Sequence, residues 1–309
     1  MPAGVWLLLV ALLLGGCAGS GGQLPAHEIT GLPPRAELVA TPFFPDDSYY
    51  CGPAALATSL GAAGLAVPPA TLVDQVFLPG RGGSLQVEML AGARRQGAVA
   101  MLIPGRLEAL LREIAAGHPV VVLQNLGLDW VPAWHYAVAV GYDLEAGQLL
   151  LRSGPERRQV LPWRTFENTW ARSQRWAFVA LPPGRLPATV DETEATRALV
   201  AFERSASPAA AVLAYRSGRQ RWPGNATLAM GLGNTLHAAG DKVEAAVVFA
   251  RVGAEHDLPA AHNNHARVLL ELGQVAEARQ AVERGLRHPG SWQAALRETL
   301  AAIEAAAKR

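Results

Sequence analysis

The sequence predicts an α+β domain followed by an all-α domain of helical repeats. Three observations carry this. Residues 51–117 hold a succession of helical stretches. Residues 119–184 change to short, β-branched apolar runs separated by turn signals, the order expected of helices packed on an antiparallel sheet. From about residue 198 onward nearly every segment is helical and Ala-rich, and it repeats. At 309 residues the chain is long enough for two domains with their own cores. Half of the residues are hydrophobic, 17% are charged and the net charge is +1, so composition gives no reason to expect nucleic acid or an acidic partner.

The N-terminal run VWLLLVALLLGG, residues 5–16, is short for a membrane span and suits the core of a signal peptide. It ends in LGGC, residues 14–17, which resembles the lipobox of bacterial lipoproteins. The resemblance implies a signal peptide over 1–16, cleavage before Cys17, a diacylglyceryl thioether on the Cys17 sulfur and an acylated amine. Ala18 in place of Asp implies the outer membrane, with the protein in the cell envelope facing the periplasm. An ordinary secretory signal or a short anchor is the other reading of the same run. Residues 17–37 then form a tether, flexible over AGSGGQLPA.

Residues 38–184 are expected to form the first domain. A short strand lies near ELVATPFF, and helices follow at about 52–63, 69–77, 84–96 and 106–117. Ser84 is placed to cap the third of these. In the fourth, Leu107, Leu110, Leu111 and Ile114 share a face, and Gly-His-Pro stops it. Strands are predicted at 119–125, 135–143, 148–154, 157–162 and 176–184, with a helix at about 164–172. GRGGS, residues 80–84, lacks the Lys-Ser/Thr of a phosphate loop and reads as a turn. Trp163, Trp170 and Trp176 are expected in the core. Residues 185–197 read as a linker, and 198–309 as the repeat domain. Gly240 and Ala245 recur as Gly273 and Ala278, a period of 33 residues. Residues 226–252 resemble tetratricopeptide repeats, which implies helix pairs with a concave surface for a protein or peptide partner.

The chain has two cysteines. With Cys17 lipidated, Cys51 has no disulfide partner. An exported protein keeps such a thiol either buried and inert or for its reactivity. In YYCGPAALATSL, residues 49–60, Cys51 precedes Gly-Pro at a helix start. The helix N-terminus favours thiolate over thiol, and its free N–H groups can hold an oxyanion. A thiolate nucleophile wants an imidazole to form the ion pair and later protonate the leaving group. His135, at the start of the strand HYAVAVGYD, is the candidate. His118 sits in a helix-to-strand turn and reads as structural. His262 and His265 could share a metal, but no third ligand is evident.

CGPAALAT, GHPVVVL and HYAVAVGYD, in that order, resemble the bacteriocin-processing, double-glycine-leader peptidase family, whose members are papain-like cysteine peptidases. The resemblance covers roughly residues 38–182. It implies a papain-like fold, Cys51 as nucleophile, His135 as general base and acid, and a helix–sheet cleft for an extended peptide. The family usually carries a Gln five or six residues before the Cys to bind the oxyanion; Asp46 and Pro45 stand there. It also carries an Asp on the next strand to orient the imidazole; Ser153 or Gly154 stands there, while Asp143 reads as a turn residue. Gly52, Trp130 and Trp134 are expected to border the cleft, although Trp130 and Trp134 are equally well read as packing residues.

The expected function is therefore that of a lipid-anchored cysteine peptidase that hydrolyses peptide bonds through an acyl-enzyme, its repeats recruiting a protein partner. No cofactor or metal is required. The alternatives are an inactive peptidase fold serving as a binding module, or an acyl-transferring relative.

Overall fold

The computed structural model describes residues 30–46 and 49–308. The signal peptide, Cys17 and most of the tether lie outside the described residues. The first domain is built on one antiparallel sheet of seven strands in the order β4-β9-β5-β6-β7-β8, with β1 also paired to β6. The strands are β1 (Arg35–Glu37), β4 (Val99–Leu102), β5 (Val120–Asn125), β6 (Trp134–Asp143), β7 (Gln148–Ser153), β8 (Glu156–Pro162) and β9 (Ala177–Leu181). Strand β6 is the organising element. β5 pairs with its residues 134–139, β1 with 141–143 and β7 with 138–143.

Both faces of the sheet are covered. Helices α1 (Cys51–Ala62), α2 (Pro69–Val76) and α3 (Gln86–Arg95) lie on one face, with Val121, Leu123, Tyr136, Val138 and Phe178 turned toward them. Helices α4 (Leu107–Ala115) and α5 (Trp163–Ala171) lie on the other, over Val120, Val122, Ala137, Ala139 and Val179. Successive strand residues point to opposite faces. A strand covered on both sides is therefore apolar at every position, which is why residues 120–123 read Val-Val-Val-Leu without polar alternation.

The second domain is all-α: α6 (Glu192–Glu203), α7 (Pro208–Arg221), α8 (Ala226–Ala238), α9 (Lys242–His256), α10 (Pro259–Glu271), α11 (Val275–Leu286) and α12 (Gln293–Ala306). Four starts are capped by side chains of Asp191, Ser207, Asn225 and Asp241, each accepting an N–H three residues on. The helices pack as successive neighbours, and small residues set their spacing. A Cβ on Gly233 of α8 would stand 2.5 Å from the Phe249 ring of α9. The 33-residue repeat is the footprint of this contact pattern.

The two domains share apolar surface. Val99 and Met101 of edge strand β4 join the helical core, and α6 packs on β4. Glu194 of α6 accepts the N–H of Leu102 at 2.9 Å. This covers a sheet edge that would otherwise be open. The segment between the domains is docked as well. The fully buried Glu113 carboxylate accepts the N–H groups of Ala188 (3.0 Å) and Thr189 (2.7 Å), the Thr189 hydroxyl (2.6 Å) and His118 Nδ1 (2.8 Å). Arg185 reaches the other nitrogen of His118 at 3.1 Å.

Four expectations need correction. Residues 192–197 of the expected linker are the first half of α6. Strand β4 is absent from the expected set, because its run Val-Ala-Met-Leu after Gly97 is only four residues long and lacks β-branched alternation. GRGGS is not a bare turn: β2 (Phe77–Leu78) and β3 (Gly83–Ser84) pair around a short 3₁₀ turn. Ser84 does not cap α3, which begins after Leu85 without a side-chain cap; the hairpin holds Ser84 extended, and its carbonyl accepts the Tyr136 hydroxyl at 3.2 Å.

Burial acts to raise the Glu113 pKa, but hydrogen bonds from His118, Thr189 and Ala188 outweigh it, and the carboxyl is held below its usual range. A depressed folded-state pKa gives stability that is present above the unfolded pKa and is lost as pH falls through the folded one. Glu113→Ala should therefore lower unfolding stability by about 3–5 kcal/mol at neutral pH. In urea titrations the gap to wild type should close as pH drops below about 4.

Candidate active site

Cys51 is the first residue of α1, and Ala54 closes the first turn onto the Tyr50 carbonyl at 3.0 Å. No side chain caps this helix and its first turn holds no acid, so the N-terminal N–H groups remain for other acceptors. Two of them, on Cys51 itself and Gly52, act on the half-buried thiol and favour its charged form, as does the main-chain N–H of Tyr136. Tyr136 follows His135 in β6. The strand that carries the imidazole is thus the strand whose backbone touches the sulfur.

His135 is half-buried, and its Nε2 lies 2.9 Å from Ser153 Oγ on the adjacent strand β7. Of the two residues the sequence left open, Ser153 and Gly154, it is Ser153 that meets the imidazole. Asp46 is pinned beside it, its N–H donating to the Gly154 carbonyl at 3.0 Å. Asp46, Cys51, Tyr136, Arg152 and Ser153 line one small cavity.

The electrostatics correct one expectation. The helix N-terminus does act on Cys51, but burial pushes the thiol up and the Asp46 carboxylate adds to it, so the net shift is upward. Burial moves His135 the other way, below its ordinary value, and Asp46 only partly opposes this. Near neutral pH both groups are therefore uncharged at rest.

Other expected residues fall in different places. Gly52 does not border an open cleft. It is buried, and a Cβ there would stand 2.3 Å from Ser84 Oγ, so it permits close seating of α1 on β3. Trp130 is 79% exposed and Trp134 is also exposed; neither lines the cavity at Cys51. Trp130 belongs to an apolar loop between β5 and β6, in which Leu126, Leu128 and Val131 are also exposed, and Trp134 opens β6. Asn125 holds this loop through the N–H groups of Gly127 and Ala133, and Arg172 holds it through the Gly127 carbonyl. His118 is engaged with Glu113, away from the thiol. Trp170 is fully buried, whereas Trp163 and Trp176 are partly buried at the core margin. Sequence reading missed Tyr136, whose role is carried by a main-chain N–H that no residue type announces. It also missed Arg152, whose buried guanidinium is turned to the carbonyls of Thr41 and Arg157.

Residues 32–178 match the family model described as Peptidase C39 like family. The first domain is a C39-like peptidase domain. Among solved structures, a C39-like peptidase of Bacillus anthracis is similar at 19% identity, covering 48% of this chain and 97% of that one, with a TM-score of 0.42. The peptidase domain of Streptococcus ComA is similar at 18% identity, covering 46% and 98%, with a TM-score of 0.37. The first TPR of Spaghetti (RPAP3), bound to an HSP90 peptide, is similar at 18% identity, covering 39% and 98%, with a TM-score of 0.35. Comparison with curated proteins gives no match. No described helix is long and apolar enough to cross a membrane.

Because Asp46 raises the Cys51 pKa, Asp46→Asn should shift the pH profile of iodoacetamide alkylation at Cys51 to lower pH. An unchanged or upward-shifted profile would remove Asp46 from the site.

Proposed function

We propose that the C39-like domain is an active cysteine peptidase that uses Cys51 and His135, with Ser153 as the positioning residue. The observation that carries this is the His135–Ser153 contact beside a thiol held by the next amide of the same strand. With Nε2–H donating to Ser153 Oγ, the imidazole presents Nδ1 as the base. Attack on a peptide carbonyl forms the Cys51 S–C bond as the thiol proton passes to Nδ1. The N–H groups at the start of α1 stabilise the oxyanion. The imidazolium then protonates the leaving amine as the C–N bond breaks, and water hydrolyses the thioester. A thiol and an imidazole that are both neutral at rest require the proton transfer to accompany the attack. Ser153 supports the imidazolium through a dipole rather than a charge, so this site is weaker than one with a carboxylate there. The exposed rings of Trp130 and Trp134 would meet apolar side chains of an extended peptide.

The chain is further proposed to be anchored in the cell envelope through lipid on Cys17, with the helical domain engaging a protein partner. Labelling with radioactive palmitate should be lost in Cys17→Ser.

The second reading, an inactive binding module, is favoured by the raised thiol and by the Asp46 carboxylate. A peptide library read by mass spectrometry separates the two. The enzyme should cleave peptides, lose all cleavage in Cys51→Ala, and lose about 10²–10⁴-fold in rate in His135→Ala. Ser153→Asp should raise the rate by restoring a charge behind the imidazole. Absence of cleavage, together with equal and slow alkylation of Cys51 in wild type and His135→Ala, would overturn the enzyme reading.

A further inference from the structure

Far from the thiol in the chain, three side chains from separate segments converge where the last helix pairs meet. Asp257 ends α9 in a left-handed conformation, with φ of 49°. His262 lies in the opening turns of α10, and His288 follows α11. His262 Nε2 is 3.2 Å from Asp257 Oδ1, and His288 Nε2 is 3.1 Å from the same oxygen. One ligand atom from each residue lies within 4.8 Å of the other two. The two rings are nearly parallel, at 14°, with centroids 6.2 Å apart. His265, which the sequence suggested as the partner of His262, is not in this group.

We propose that Asp257, His262 and His288 form a binding site for a divalent transition-metal ion, Zn²⁺ by its chemistry. Zinc bonds to imidazole nitrogen and carboxylate oxygen are about 2.0–2.2 Å, so tetrahedral ligand atoms stand roughly 3.3–3.5 Å apart. The two observed separations to Asp257 need to open by only a few tenths of an ångström. Two imidazoles and one carboxylate suit Zn²⁺, whereas Ca²⁺ and Mg²⁺ take oxygen ligands. Asp257 is 70% exposed, so solvent has access to the fourth position and a water completes it. His262 is nearly fully buried, so one ligand is already fixed by packing. The ion would tie the α9–α10 turn to a residue 31 positions later, across two successive helix pairs. In a repeat array each pair is held only by its neighbours, so the terminal pair is the one with most to gain from such a tie.

The test uses the untagged chain carrying Cys17→Ser and Cys51→Ser, so that no thiol contributes. Co²⁺ serves as the spectroscopic probe, Zn²⁺ as competitor and as titrant in calorimetry. One equivalent of Co²⁺ should bind with the absorption bands of a four-coordinate ion, and Zn²⁺ should displace it and raise the thermal midpoint. His288→Ala should weaken binding by at least about 10–100-fold. Asp257→Asn, on an exposed turn that leaves the core intact, should do the same, with folding checked by circular dichroism. His265→Ala should bind as the parent does. Unaltered binding in folded His288→Ala and Asp257→Asn, or no uptake by the folded parent in large excess of either ion, would overturn the proposal.

Discussion

The C39-like domain depends on how closely α1 sits on the sheet. Its first turn meets β6 and β3 without intervening side-chain bulk, because residue 52 is glycine. Its apolar length, including Leu56 and Leu60, is sealed beneath α2 and α3. That seating brings the Cys51 sulfur to the Tyr136 N–H and makes the thiol a property of the strand as much as of the helix. Tyr136 reinforces it from both ends, with its amide on the sulfur and its hydroxyl on the Ser84 carbonyl. Once α1 is placed, the start of β6, the end of β7 and the Asp46 segment have one common meeting point.

Two opposing influences act on that point. Helix N-terminal amides favour a thiolate, while burial and the Asp46 carboxylate disfavour it, and the second influence prevails. Desolvation also keeps His135 neutral. The site therefore stores no ion pair. Two neutral groups avoid the cost of burying two charges, and in the proposed reaction the charge separation would fall at the moment of attack. Ser153 fits this economy of charge: a hydroxyl behind an imidazole fixes its orientation without holding it protonated.

The helical domain is joined to the C39-like domain by specific polar bonds on top of shared apolar area. Glu113 and Glu194 lie on opposite sides of the junction, and each accepts main-chain N–H groups from the other domain or from the segment between them. These bonds satisfy backbone groups that the junction would otherwise bury unpaired. Together with α6 on the β4 edge, they fix where the helix pairs begin relative to the sheet.

Local rules were enough for much of this molecule. Periodicity placed the helices and most strands, because a face that must be buried imposes 3.6- or 2-residue spacing on its own segment. Cys51 before Gly-Pro announced a helix start, and the 33-residue recurrence announced paired helices, since both depend on near neighbours in the chain. The order of β-strands, the covering of β4 by α6, the refusal of Ser84 to cap and the real surroundings of Gly52 and the two tryptophans depend on segments far apart in sequence. So do the sign of the Cys51 shift and the meeting of Asp257, His262 and His288. Desolvation and Coulomb interactions are set by what packing brings within a few ångströms, and no local pattern records that distance.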